Sequence, residues 1–152
     1  MTTRKIGRRR AVFVHLDLEW LPGNRSRATV TLAFQGQQYL GRAEGSGLDH
    51  EVRCAGEATA DALRHLVGTE QSTFEVLDLK RLTVHRVPAV VVALSARWQN
   101  ESQTLAGFSL TRSDDPPHAA VRAVLNSTNR FLERLWDTQE ASPAEPSQQA
   151  HG

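Results

Sequence analysis

The sequence predicts an α+β protein made of two βββα repeats, with antiparallel sheets, helices on one sheet face and pseudo-twofold symmetry. Two observations support this fold class: each half shows three strand-like segments before a helix, and the chain aligns with itself at a shift of about 61 or 62 residues. The alignment pairs Leu16-Asp17-Leu18 with Leu77-Asp78-Leu79, Val30 with Val91, and the helical residues Ala58, Ala62 and Leu63 with Ala120, Val124 and Leu125. A constant shift through strands and helix indicates a duplicated supersecondary unit.

The first repeat, residues 11–68, begins with three strands. Apolar residues alternate with polar ones over 12–19 and again over 27–34, which predicts two strands that each bury one face. Leu21-Pro22-Gly23-Asn24 and Gln35-Gly36-Gln37 supply turn residues between the strands. The third predicted strand, 38–45, carries small residues that would let a helix approach the sheet closely: Gly41, Ala43 and Gly45.

The first helix is predicted from Asp49 to Val67. Ser46 or Asp49 can cap its start, and Gly68 is suited to end it. Apolar or small residues recur at helical spacing and predict the buried stripe: Val52, Ala55, Thr59, Ala62, Leu63 and Leu66.

The second repeat, residues 73–137, follows the same order. Strand 74–84 changes phase, which predicts a bulge near Lys80-Arg81. Strand 89–98 is apolar almost continuously over 90–94, so we expect it to be covered on both faces, one of them by a second subunit. Strand 104–111 completes the sheet. Asp114-Asp115-Pro116-Pro117 predicts the start of the last helix, whose apolar stripe is Val121, Val124, Leu125, Thr128, Leu132 and Leu135.

Two segments flank the predicted domain, which spans 11–137. Residues 1–10 are predicted to be a flexible basic arm, because they contain Arg4, Lys5, Arg8, Arg9 and Arg10 and no acid. The arm is either a solvated terminus or a contact for nucleic-acid phosphates. Residues 138–152 are rich in Gln, Glu, Ser, Pro and Ala and are predicted to be a disordered tail.

Composition argues against several classes of protein. Lys and Arg total 18 and Asp and Glu total 17 in 152 residues, so the net charge does not indicate nucleic-acid binding or membrane binding. The single cysteine, Cys54, excludes an internal disulfide. No run of residues is apolar enough for a membrane helix, and we expect a cytoplasmic protein.

The sequence carries no recognisable catalytic or metal-binding motif. His50 lies between Asp49 and Glu51, but we expect it to be an exposed residue of the first helical turn rather than a metal ligand. Asp115 and His118 are expected to form a helix cap, and Cys54 to be a packing residue. We therefore predict no enzyme activity, no cofactor and no metal.

The strand-to-helix turn 41–47, GRAEGSG, is the best candidate for a ligand site. Such turns expose backbone N–H groups that can hold a small anion or carboxylate. The internal repeat makes the second turn equivalent, so a ligand site between the repeats is predicted. Its candidate residues are Gly45, Ser46, Gly47, Asp49 and His50 in the first repeat, and Thr111, Asp114 and Asp115 in the second.

Residues of both units resemble the regulatory, dimerising domain of alpha-isopropylmalate synthase. Gly45 and Gly47 match the Gly-x-Gly of that family's first unit. The second unit shares an aspartate, small residues and an Asn-Arg ending: Asp115, Ala119, Ala123, Leu125, Asn129 and Arg130. The chain departs from the pattern at Leu48-Asp49-His50-Glu51, and at Ser109 and Thr111 where the family has glycine.

This resemblance implies a non-catalytic regulatory or assembly module, a homodimer, with a small metabolite such as an amino acid between the repeats. The alternative is a nucleic-acid-binding protein that uses the basic arm, because 36–47 followed by an alanine-rich helix looks like the end of a double-stranded RNA-binding domain. Asp49, His50 and Glu51 stand where that domain needs lysines, so nucleic acid ranks second.

Overall fold

The structure, a computed structural model, describes residues 10–68, 72–98, 100–111 and 115–141, with side chains to residue 134. Its elements follow the predicted order, which confirms the α+β fold class with two βββα units. They are β1 (Val12–Leu21), β2 (Arg25–Phe34), β3 (Gln37–Ser46), α1 (His50–Val67), β4 (Ser72–Val84), β5 (Val87–Trp98), β6 (Glu101–Leu110) and α2 (Pro116–Ala141).

Each repeat forms its own three-stranded antiparallel sheet, with the strands in chain order. Sheet one is β1-β2-β3 and sheet two is β4-β5-β6. The predicted turns bring successive strands together because Gly23, Asn24 and Gly36 adopt the positive φ that tight hairpins need. The β4–β5 hairpin uses His85 and Arg86 at positive φ instead, which its sequence did not indicate.

The helices cover one face of each sheet and also pack on each other. Both predicted stripes are buried over the residues whose side chains the structure describes. On the strands, alternate residues of β2 and β5 complete the core: Ala28, Val30, Leu32 and Phe34, and Val90, Val92, Leu94 and Ala96. This inner face is the buried one that the period-two pattern of β2 predicted.

A glycine at the centre of β3 and another at the centre of β6 let the helices lie directly on the sheets. A Cβ at Gly41 would overlap the backbone of Ala58 and Ala62, and a Cβ at Gly107 would overlap the carbonyl of Ala123. Gly41 pairs with Val30 and Gly107 pairs with Val92 across their sheets. These two contacts define which residues of the repeats are equivalent.

The structural equivalences correct the self-alignment of the sequence. Val30 corresponds to Val92, not Val91, because each faces the glycine that the helix touches. Leu16 corresponds to Leu79, since they pair with those two valines and both are buried. The helices shift by about one turn, so that Ala58 corresponds to Ala123. The self-alignment was wrong because both repeats have regular apolar patterns. Such patterns match almost equally well when one repeat is shifted by one residue in a strand or by one turn in a helix.

Several predicted boundaries also move. The register of β4 against β5 shifts between Val76 and Asp78, not near Lys80-Arg81 as predicted. The strand β6 begins at Glu101, three residues before its predicted start at 104. The helix α2 continues to Ala141, four residues into the predicted tail, while residues 142–152 lie outside the described part.

Side chains of each helix cover the outer edge of its own sheet. Asp61 of α1 accepts a hydrogen bond from the backbone N–H of Arg42 on β3, at 3.0 Å. At the equivalent place, Asn126 of α2 donates to the carbonyl of Phe108 on β6, at 2.8 Å. Backbone groups at a sheet edge are otherwise free to pair with another strand, so these bonds occupy part of the edge at β3 and at β6.

The helices also bond to the first strand of the opposite repeat. Arg64 of α1 donates to the carbonyl of Phe74 on β4, at 3.3 Å. Asn129 of α2 binds the N–H and the carbonyl of Ala11, just before β1, at 2.9 and 3.4 Å. The repeats therefore interlock reciprocally, as a pseudo-twofold axis requires.

Candidate functional site

The predicted turn of the first repeat is largely occupied by contacts within the protein. Gly45 lies under the start of α1, where a Cβ would approach the carbonyl oxygen of His50 to 2.9 Å. Gly47 has a φ of +84°, and its N–H donates to the carbonyl of Asn24 at 3.2 Å. Ser46 is exposed at the end of β3. The Gly47 N–H considered for an anion therefore already has a protein acceptor.

His50 is buried, which contradicts the expectation of an exposed first-turn residue. Its Nδ1 lies 2.6 Å from the Oγ of Ser26, which is fully buried on the inner face of β2. The ring of Trp20 packs edge-on against the ring of His50, with their centroids 5.1 Å apart. The alternation of β2 places Ser26 on the inner face, and a buried hydroxyl needs a polar partner. That pattern could have indicated a buried polar side chain such as His50.

Asp49 occupies the N-cap position of α1, but its side chain makes no capping hydrogen bond. It adopts a left-handed φ of 58°. Its Oδ1 accepts a hydrogen bond from Arg81 Nη1 on β4, at 3.2 Å. The carboxylate thus joins the turn of the first repeat to the sheet of the second.

In the second repeat, Thr111 is buried and its N–H donates to the carbonyl of Pro88 at 2.7 Å. The Asp115 Oδ1 accepts a hydrogen bond from the backbone N–H of His118 at 3.4 Å, and the Asp115 Oδ2 lies 2.5 Å from His118 Nδ1. It therefore has the capping role that the sequence predicted. Asp114 lies outside the described residues.

Among the described residues, no hydrogen bond or ion pair joins the two predicted half-sites. The first set bonds to Asn24, Ser26 and Arg81, and the second bonds to Pro88 and His118. Asp49 and Asp115 each precede a helix, and the carbonyl of each accepts the N–H four residues later.

Of the basic arm, only Arg10 falls among the described residues. Its Nε lies 3.1 Å from the Glu133 Oε2 of α2. Arg4, Lys5, Arg8 and Arg9 lie outside the described part.

The two sheets differ sharply on their outer faces, which the helices leave uncovered. On sheet one, Glu19, Arg27 and Glu44 form one row across the three strands. Arg27 binds Glu19 at 3.2 Å and Glu44 at 3.0 Å. The hydrogen bond with Glu44, then the charges of both carboxylates, raise the pKa of Arg27 above its ordinary value.

This charged row borders a concavity of about 530 Å³, which is within the size range of small-molecule pockets. Its lining residues are Glu19, Arg27, Thr29, Arg42, Ala43 and Glu44. None of the site residues predicted from the sequence lines this concavity. The alternating charges on the outward positions of β1, β2 and β3 were the signal that could have found it.

On sheet two, large hydrophobic residues occupy the corresponding outer positions. We call these residues the apolar face; they are Leu82 (38% exposed), Val84 (40%), Val87 (37%), Phe108 (43%) and Leu110 (42%). Ala89 and Val91 of β5 lie between them in the strand register. The continuous apolar run 90–94 predicted a second covered face, but not the residues on β4 and β6 that extend it.

No protein-family model and no curated protein matches the chain. Within the described ranges, His, Cys, Asp and Glu side chains form no group of three suited to a metal ion. Neither described helix has the length and apolar character required to span a bilayer. Cys54 is a free, buried thiol, and burial raises its pKa from 9.0 to about 11.

Proposed function

We propose that this protein is a non-catalytic assembly module that works as a cytoplasmic homodimer through the apolar face of sheet two. The observation that carries the proposal is that face itself. Five large hydrophobic side chains, each more than a third exposed, occupy one side of one sheet. Contiguous apolar surface of this kind is typical of protein interaction sites.

Association through a face is favoured over association through a sheet edge. The edges of β3 and β6 already bond to Asp61 and Asn126 of the helices. Arg64 and Asn129 bond to the opposite repeat at Phe74 and Ala11, beside the other two edges. A partner strand would have to displace these bonds, whereas a partner face would bury apolar area without breaking any.

A second copy of this chain fits the apolar face because the face is self-complementary. Leu82 and Leu110 lie on either side of Ala89 in a single row. A half-turn about the direction of β5 would bring Leu82 over the partner subunit's Leu110, and Ala89 over its counterpart. A twofold dimer requires this reciprocity, and two sheets can pack face to face in this way.

The regulatory part of the proposal is that a small metabolite, such as an amino acid, acts near the junction of the repeats. Asp49 and Arg81 form an exposed ion pair between the predicted turn and β4. A ligand carboxylate that competed for Arg81 would weaken this link between the repeats. A thermal-shift screen of amino acids tests this part, because a ligand of the folded state raises the melting temperature.

The dimer is tested by light scattering on matched charge substitutions. Leu110→Glu should convert the dimer to a monomer, since burial of an unpaired carboxylate in the interface is strongly unfavourable. Leu40→Glu is the control, because Leu40 is 48% exposed on the outer face of sheet one. A monomeric parent protein, or equal loss of the dimer in both variants, would refute the proposed interface.

A further inference from the structure

We infer that the concavity on the outer face of sheet one binds a small zwitterion, with its carboxylate at Arg42 and its ammonium group at Asp17. The inference goes beyond the proposed function, because it concerns a site separate from the Asp49–Arg81 ion pair. It does not depend on the dimer.

Two neighbouring rows of sheet one differ in the length of their central side chain. In the first row, Arg27 stands between Glu19 and Glu44 and bridges them, so a long central cation satisfies both outer carboxylates. In the next row, Thr29 stands between Asp17 and Arg42. A short central side chain leaves a gap between two opposite charges.

Those two charges do not satisfy each other. Neighbouring strands lie about 4.8 Å apart, so the Cα atoms of Asp17 and Arg42 are separated by about 9.6 Å across β2. Within the described ranges, neither the Asp17 carboxylate nor the Arg42 guanidinium has a hydrogen-bond or ion-pair partner. The backbone of Arg42 is nevertheless held, because its N–H binds Asp61 of α1.

The concavity lies on the Arg42 side of this gap, and Asp17 is not among the residues that line it. Thr29 and Arg42 line it, together with the fixed charges of Glu19, Arg27 and Glu44, and Asp17 lies at the far end of the Thr29 row. A guanidinium can bind a carboxylate through two parallel hydrogen bonds, and the Thr29 hydroxyl can either donate or accept. A molecule with one carboxylate and one ammonium group would bridge the second row as Arg27 bridges the first.

The other repeat indicates that the fold itself does not require these charges. Sheet two has Lys80, Val91 and Phe108 at the positions of Asp17, Thr29 and Arg42. The same backbone therefore accepts an apolar centre and an aromatic ring there. Of the two sheets, only sheet one has charged residues at these positions.

The test is a titration of the full chain followed by NMR of the arginine side-chain Nε–Hε signals. Glycine and 4-aminobutanoate are the zwitterionic probes, and acetate and ethylammonium carry one charge each. We expect saturable shifts at millimolar concentration for at least one zwitterion, with affinity at least about tenfold above that of either single-charge probe.

The variants Arg42→Gln and Asp17→Asn should each lower that affinity by about tenfold or more. Arg97→Gln, at an exposed position of sheet two, is the matched control and should bind as the parent does. No saturation, equal binding of acetate, or unchanged binding by Arg42→Gln would overturn the inference. Light scattering on the same samples reports the dimer separately, so failure of this site and failure of the assembly proposal can be told apart.

Discussion

Two equivalent rows on the outer faces of the two sheets have opposite chemistry. The row Glu19, Arg27 and Glu44 of sheet one corresponds to the row Leu82, Ala89 and Leu110 of sheet two. A triad of alternating charges in one repeat is thus an apolar triad in the other.

The inner faces show no such divergence. Gly41 and Gly107 both lie against helix backbone. The buried residues of β2 and β5 are alanine, valine or leucine, apart from Ser26 and Phe34. The inner face must fit a helix at close range, so its side chains are constrained by volume. The outer face is not constrained by the fold, and its chemistry is available for function.

The largest effect we expect tests the shared inner face. Gly41→Ala and Gly107→Ala should each lower the free energy of unfolding by about 3 kcal/mol, because the new methyl group overlaps helix backbone. Gly36→Ala is the control: it has a φ of +82° with no atom near its Cβ, and should cost only about 1 kcal/mol. Urea denaturation measures all three. Equal effects would mean that the close helix approach does not limit the fold.

A second prediction exchanges the outer chemistry. The triple variant Leu82→Glu, Ala89→Arg and Leu110→Glu copies the charged row of sheet one onto sheet two. We expect it to fold, because sheet one holds the same row on the same backbone, and to be monomeric by light scattering. The reverse exchange, Glu19→Leu, Arg27→Ala and Glu44→Leu, should create a second apolar face and larger assemblies. A triple variant that stayed dimeric would remove sheet two from the interface.

A third and smaller effect concerns the bonds between the repeats. Asn129→Ala should lower the free energy of unfolding by about 1–2 kcal/mol, since the N–H and carbonyl of Ala11 lose their partner. Its equivalent, Arg64→Ala, should cost only about 0.5 kcal/mol, because Arg64 is more than a third exposed and makes one backbone bond there. Thermal unfolding of the two variants compares them, and a larger loss from Arg64→Ala would contradict this ranking.

The last effect is confined to alkaline pH, and the two helices do not share it. Cys54 lies on the buried side of α1, and burial followed by the charges of Glu57 and Glu51 raises its pKa from 9.0 to about 11. The folded state thus favours the neutral thiol. Its contribution to stability is present below pH 9.0 and declines as the pH rises towards about 11.

Denaturation at several alkaline pH values should therefore show the parent losing stability faster than Cys54→Ala. That variant has no thiol to ionise, and α2 already buries Ala119 and Ala120 at the corresponding level. Parallel curves for the two proteins would show that the thiol does not contribute.

The sequence alone determined the element order, the helix starts and both buried stripes. Val52, Leu63, Val121 and Leu132 recur at helical spacing, and that periodicity follows from local geometry. It also located the glycine on β3 that lets a helix approach. Such features depend on neighbours in the chain, so they can be read without coordinates.

Only the tertiary structure decided which residues of the two repeats are equivalent. It also decided the burial of His50 and the shared surface of Leu82 and Leu110. Each depends on residues far apart in the chain. The partner of His50 is Ser26, and the apolar face needs the pairing of β4 and β6 with β5. A period of two shows that residues alternate between faces, but the face that the helices cover is decided by packing.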